Sequence, residues 1–188
     1  MSSPACLRPA ALPDVGAIAE FQTACWREAY RGLVPNEYLD RVSVGDRQER
    51  WRDRLTSGAR RIALAEVAGR EGDELVGVVS WAPPALAPAA APTRGPDPTA
   101  GEPAPTLELM SLYVAAHHSG TGIAATLLGH ALGARPARLW VFEDNPRALA
   151  FYAKHGFAPD GHRQVDPDTG VWERRLARRA QAPVSPAG

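Results

Sequence analysis

The feature that most constrains this chain is a change of period around residue 115. Thr106 to Val114 favours a strand, whereas Ile123, Leu127, Leu128, Ala131 and Leu132 recur at helical spacing between Gly120 and Leu132. Such a switch marks a strand running into an amphipathic helix. Gly120-Thr121-Gly122 stands at the junction. Arg138 to Phe142 then reads as a short buried strand. Asn145 to His155 reads as a helix, with Asn145 at its cap, Pro146 at its first position and Gly156 as its stop.

The rest of the chain surrounds this unit with hairpins. Cys6 to Pro9 predicts a short first strand. Val15, Ile18, Phe21, Cys25 and Ala29 mark one face of a helix ending near Tyr30. Asn36 to Thr56 predicts a second helix, packed through Tyr38, Leu39, Trp51 and Leu55. Arg61 to Val67 and Leu75 to Trp81 predict a hairpin across a polar turn, and Phe157 to Gln164 with Gly170 to Leu176 a closing one. The predicted fold class is therefore α/β, a mixed central β-sheet flanked by helices. With 188 residues, a single domain over 1–176 is expected. Pro83 to Pro105, rich in Pro, Ala and Gly, predicts a flexible excursion between two strands, and 177–188 a disordered tail.

Composition narrows the function classes. Lys and Arg total 21 and Asp and Glu total 21, so nothing draws the chain generally to nucleic acid or to an anionic membrane. Any charged ligand must be caught locally. The two cysteines, Cys6 and Cys25, match no zinc spacing and are expected as buried or half-buried thiols, with no metal. Met1 to Arg8 shows no signal-peptide pattern and no apolar run is long enough to span a membrane. Cytoplasmic localisation is expected.

The Gly120-Thr121-Gly122 turn has two readings. Two glycines before a helix serve as a tight turn. They equally let backbone N–H groups at a helix start approach a phosphate closely. The dinucleotide fingerprint lacks its third glycine, and no Lys-Ser/Thr pair follows as in a P-loop. A backbone-only cradle favours a pyrophosphate-bearing cofactor over a hydrolysed nucleotide.

Asn145-x-x-Ala148-x-x-Phe151-Tyr152-x-x-x-Gly156-Phe157 resembles the final strand–helix–strand of the GCN5-related N-acetyltransferase (GNAT) superfamily. The earlier turn resembles that superfamily's acyl-CoA pyrophosphate motif, with Gly122 and Ala124 at the small positions. Ser119 departs from it, standing where Gln or Arg is usual, and His117 and His118 are either partial compensation or exposed loop residues. The resemblance implies a GNAT-type acyl-CoA N-acyltransferase fold and acetyl-CoA as co-substrate. It implies that the backbone of Leu112, Tyr113 and Val114 pairs with the pantetheine arm. Gly120, Thr121, Gly122, Ile123, Ala124 and Ala125 would hold the pyrophosphate. Asn145 would bond the arm or nearby backbone, and Tyr152 would stand near the thioester sulfur.

The chemistry makes these types sensible. An amine acceptor arrives protonated and must lose a proton before attack. The carbonyl oxygen needs a donor, which a strand N–H beside Leu112 supplies. The departing thiolate needs a proton, which a phenol such as Tyr152 can give. Glu108 is the candidate base; by alternation it shares a face with Met110, Leu112 and Val114, unless a bulge alters the face. It reads equally as a strand-end glutamate contacting solvent or Arg. Trp26, Tyr30 and Trp172 are candidates to line the acceptor pocket, or simply core. The expected function is acetyl transfer from acetyl-CoA to a primary amine. The alternative is a catalytically silent acyl-CoA-binding module of the same fold. Protein N-termini, lysines, polyamines, aminoglycosides and small antimetabolites all fit as acceptors, and a homodimer is compatible with the resemblance.

Overall fold

A computed structural model describes residues 5–69, 72–83 and 107–179. Its strands are β1 (Cys6–Pro9), β2 (Arg61–Ala68), β3 (Asp73–Ala82), β4 (Leu107–Val114), β5 (Ala137–Phe142), β6 (Ala158–Val165) and β7 (Trp172–Arg178). Its helices are α1 (Val15–Ala29), α2 (Asn36–Arg41), α3 (Val44–Ser57), α4 (Ile123–Leu132) and α5 (Pro146–Lys154). One sheet holds seven strands in the order β1-β2-β3-β4-β5-β7-β6. All neighbours are antiparallel except β4 and β5. That parallel pair is what a strand–helix–strand crossover through α4 produces. The mixed sheet flanked by helices is the fold class the periodicities predict.

Each face of the sheet has its own core. On one face α1 and α3 bury Val15, Ile18, Ala19 and Trp51 against Ile62, Leu64 and Val78. On the other, α4 packs Ile123, Leu127, Leu128, Ala131 and Leu132 against Ala65, Val79, Leu109 and Leu139, with α5 contributing Leu149, Phe151 and Tyr152 at the margin. A fully buried Leu such as Leu127 or Leu132 contributes about 1.5–3 kcal/mol relative to exposure. Gly77 lies where α4 crosses β3. A Cβ there would come within 2.6 Å of Leu127 Cδ1, so glycine is what lets the helix approach.

Three expectations need correction. The predicted helix from Asn36 to Thr56 is two helices: Val42 is extended, and Ser43 accepts the Asp46 N–H as the cap of α3. A side-chain oxygen able to take an orphan N–H made a new start cheaper than continuation. The expected tail begins too early. β7 runs to Arg178 because Ala177 and Arg178 pair with Arg138 and Ala137. Cys6 is exposed and Cys25 buried, so only one thiol sits where both were expected. The Pro83 to Pro105 expectation falls, from residue 84 on, outside the described residues, as does that for 180–188. No described helix is long and apolar enough to cross a membrane.

Candidate active site

Two β-bulges shape β4 and its surroundings. Ala65 pairs with Gly77 but Glu66 with Leu75, so β3 carries one extra residue at Val76. Ser80 pairs with Ser111 but Trp81 with Leu109, so β4 carries one extra residue at Met110. A bulge bends its strand and raises the local twist. On its other side, β4 pairs with β5 only from Leu107 to Leu109. Beyond the bulge, Ser111 to Val114 stays with β3 while Trp140 to Phe142 stays with β7. A wedge opens between the parallel strands. The β4 edge facing it, carrying Leu112, Tyr113 and Val114, has no strand paired to it among the described residues.

The same bulge corrects the face of Glu108. Ser111 bonds Ser80 hydroxyl to hydroxyl at 2.7 Å on the α1/α3 face, and Tyr113 points that way too. Glu108, opposite Ala82, joins them and not Met110, Leu112 and Val114. It is 4% exposed and accepts from Arg138 Nε at 2.8 Å. Of its two sequence readings, the contact with an arginine is the one present.

The wedge leads from the glycine turn to an aromatic cage. Gly120 and Gly122 both take left-handed φ values, 80° and 91°, which non-glycine residues avoid. Gly122 caps α4, so the first-turn N–H groups of Ile123, Ala124 and Ala125 are free of intrahelical partners. A Cβ on Gly120 or Gly122 would meet nothing within 4 Å, so the space before the helix is open. Arg147 of α5 donates from Nη2 to Ser119 Oγ at 2.6 Å. It brings to the turn the guanidinium that Ser119 lacks. His117 bonds instead to Glu74 at 2.9 Å. Glu74, His117 and His118 hold ligand-type atoms within 4.8 Å of one another at the surface.

At the other end, Tyr113 Oη accepts from Gln22 Nε2 at 3.0 Å and from Trp26 Nε1 at 3.1 Å. Gln22 Oε1 in turn accepts from the fully buried Trp51 Nε1 at 2.9 Å. Trp26 meets Tyr30 edge-on at 4.6 Å between centroids, and Tyr30 meets Phe142 at 5.2 Å. Tyr38 closes the cage at 5.8 Å from Trp26. Trp26 and Tyr30 are thus brought together. Trp172 is not: it is 48% exposed, under the Arg163 guanidinium. By alternation it lies on the face of Leu176, opposite Glu173, which pairs with Phe142.

Tyr152 stands at the margin of the α4/α5 core, its ring 5.8 Å from Phe157. Burial, and then the nearby Tyr113 phenol, push its pKa well above the usual tyrosine value. Burial, with Tyr113 and Tyr152 next, does the same to Tyr30. Three phenols thus converge where β4 and β5 part, and burial holds those of Tyr30 and Tyr152 protonated. Asn145 Oδ1 accepts the Ala148 N–H at 3.0 Å and caps α5. Its amide hydrogens remain for another acceptor. Glu173, which motif reading missed, faces Tyr30 and accepts from Gln164 at 3.0 Å. Burial raises its pKa above the usual carboxylate range.

The family model for the acetyltransferase (GNAT) family matches residues 18–157. The chain belongs to the GNAT acetyltransferase family. No curated protein matches it. Solved structures do. The PaiA N-acetyltransferase from Thermoplasma acidophilum, in complex with coenzyme A, is 18% identical, with 93% of this chain and 98% of that one covered and a TM-score of 0.63. YncA, an acetyltransferase from Salmonella typhimurium with acetyl-CoA, is 16% identical over 99% of each chain, with a TM-score of 0.57. A variant of the spermidine N-acetyltransferase SpeG from Vibrio cholerae is 18% identical, covering 93% and 92%, with a TM-score of 0.57. These structures share the GNAT fold with this chain.

Proposed function

We propose that this GNAT protein moves the acetyl group of acetyl-CoA onto a primary amine by direct attack on the thioester. The observation that carries the reading is the wedge between β4 and β5, lined by a free strand edge and ending on three phenols, of which burial holds Tyr30 and Tyr152 protonated. The residues fit the co-substrate. Two left-handed glycines leave open space before the first-turn N–H groups of α4, and Arg147 adds a cation. The Ser111 to Val114 edge offers main-chain groups to the amide-bearing pantetheine arm. When bound, acetyl-CoA supplies an activated acyl carbon and a thiolate leaving group.

The chain's own groups divide the remaining work. The Leu112 N–H is the donor toward the carbonyl oxygen. Tyr152 holds a proton for the departing sulfur, and its raised pKa keeps that proton in place across the neutral range. The amine proton goes to a carboxylate. Glu108 is already engaged by the Arg138 guanidinium. Glu173 is held by a neutral amide and lies beside Tyr30, so it serves better. Cys25 is no nucleophile, since burial pushes its thiol up to about 11, which supports direct attack over an acyl-enzyme. The free cysteines agree with a cytoplasmic protein.

Incubation with acetyl-CoA and a panel of amines, following free CoA, tests the reading. Amine-dependent CoA release is expected. Tight acetyl-CoA binding with no release for any amine would leave the silent acyl-CoA-binding module instead.

A further inference from the structure

Arginines, not carboxylates, dominate the wall that α3 presents to the cage. Arg47 sits over the Trp26 ring, 4.8 Å from its centroid. Arg54, two turns further along α3, lies over Trp51 at 4.7 Å. Arg60 follows the helix and faces Glu108 and Tyr113. All three are half-buried, and among the described residues none makes an ion pair. Burial lowers their pKa values, that of Arg54 to about 10; Glu108 opposes the effect at Arg60, while no carboxylate offsets it at Arg47 or Arg54.

Arg47 is the sharpest case. Among the described residues three arginines have a buried Nε with no hydrogen-bond partner: Arg47, Arg174 and Arg178. Arg174 reaches Glu143 through Nη2 at 3.4 Å, and Arg178 reaches the Gly133 carbonyl at 2.7 Å. The Arg47 side chain bonds to nothing among the described residues, only stacking on Trp26. Of the carboxylates that face the cage, Asp168 pairs with Arg50, Asp166 accepts from Thr169 and Glu173 accepts from Gln164, and none of them bonds Arg47. A half-desolvated guanidinium at a ligand cage is costly unless an anion arrives with the ligand.

Its position says which part of the ligand brings that anion. Arg47 stacks on the ring whose Nε1 bonds Tyr113. Tyr113 adjoins Leu112, the donor toward the thioester carbonyl under the reading above. We propose that the acceptor is a small amine bearing a carboxylate close to its amino group, as in an α-amino acid, and that Arg47 binds this carboxylate. This rests on the acetyl-transfer reading for the amine's fate. Polycationic amines are disfavoured by the same arginines.

The test sets α-amino acids against their amides, their decarboxylated amines and spermidine, in wild type, Arg47→Ala and Arg47→Lys. Wild type is expected to prefer the carboxylated amine over its decarboxylated partner by about ten- to a hundred-fold in kcat/KM, the range for one hydrogen bond to a charged group. Arg47→Ala should erase that preference through KM and leave acetyl-CoA affinity unchanged, and Arg47→Lys should restore part of it. A preference of wild type for neutral amines or spermidine overturns the inference, as does discrimination that survives in a folded Arg47→Ala protein. Calorimetric binding of the same amino acids to the CoA-loaded protein separates the two claims. Carboxylate-dependent binding that needs Arg47, without CoA release, sinks the transfer reading and upholds the carboxylate site. No such binding, with no release, overturns both.

Discussion

Arg147, in the first turn of α5, reaches across to the loop before α4 and donates to Ser119 Oγ at 2.6 Å. Ser119 stands where the motif usually has Gln or Arg, and Arg147 brings a cation beside it from another helix. Arg147→Ala should therefore weaken acetyl-CoA binding by about ten- to a hundred-fold, with a smaller loss at high salt because exposed charges are screened. Calorimetry at two ionic strengths reads both effects. Unchanged affinity at low salt would reduce Arg147 to a surface contact of Ser119.

Gly122→Asp should abolish measurable acetyl-CoA binding. The variant forces a side chain into a left-handed position, φ 91°, and adds a negative charge where phosphate is expected. Circular dichroism must show the fold intact. Full affinity in a folded Gly122→Asp protein would move the cofactor elsewhere.

Tyr152→Phe keeps the ring against Phe157 and deletes only the donor. Acetyl-CoA affinity should barely change, while kcat falls by roughly ten- to ten-thousand-fold. Because burial holds Tyr152 protonated far into alkali, wild-type kcat should show no decline at the usual tyrosine pKa near 10. A drop there, or full activity in Tyr152→Phe, would remove it from the mechanism.

The pH profile separates the two carboxylates. A base works only when deprotonated, so activity should be lost as pH falls through its pKa. For Glu173 that limb should lie above the ordinary carboxylate range, since burial raises it. Glu173→Gln should lower kcat by about a hundred- to ten-thousand-fold and abolish the limb. Should Glu108→Gln do so instead, the proton goes to Glu108.

Arg8 joins β1 to two carboxylates, bonding Asp14 and Glu66 at 2.8 and 2.7 Å. The Arg8 hydrogen bonds hold the Asp14 carboxyl below its usual value. A depressed folded pKa contributes stability above the unfolded value, and this is lost as pH falls through the folded one. Asp14→Asn should lower Tm at pH 7, and its gap to wild type should close as pH drops below about 4. A gap independent of pH would show that the Ala11 contact, not the charge, matters.

Local grammar was legible in residues with local partners. Asn145-Pro146 starts α5 because a side-chain oxygen and a fixed φ act within one turn. The glycines of the α4 turn take left-handed φ for the same local reason. Ser43 offered an equally local signal, yet the apolar spacing across Val42 concealed the break. The end of β7 was illegible because Ala177 and Arg178 become strand only by pairing with β5.

The sequence by itself determined the periodicities, the caps and the most specific motif, and with them the mixed sheet and the family. These rest on contacts within a few residues, which composition and spacing encode directly. Only the tertiary structure decided that Met110 is the bulged residue, that β4 leaves β5 after Leu109, and that Glu108 turns toward Arg138. It alone put Arg147 beside Ser119, Glu173 beside Tyr30, and Arg47 over Trp26 with no carboxylate of its own. Those outcomes depend on which charged groups meet after distant strands have paired, and that competition is settled by packing across the whole sheet.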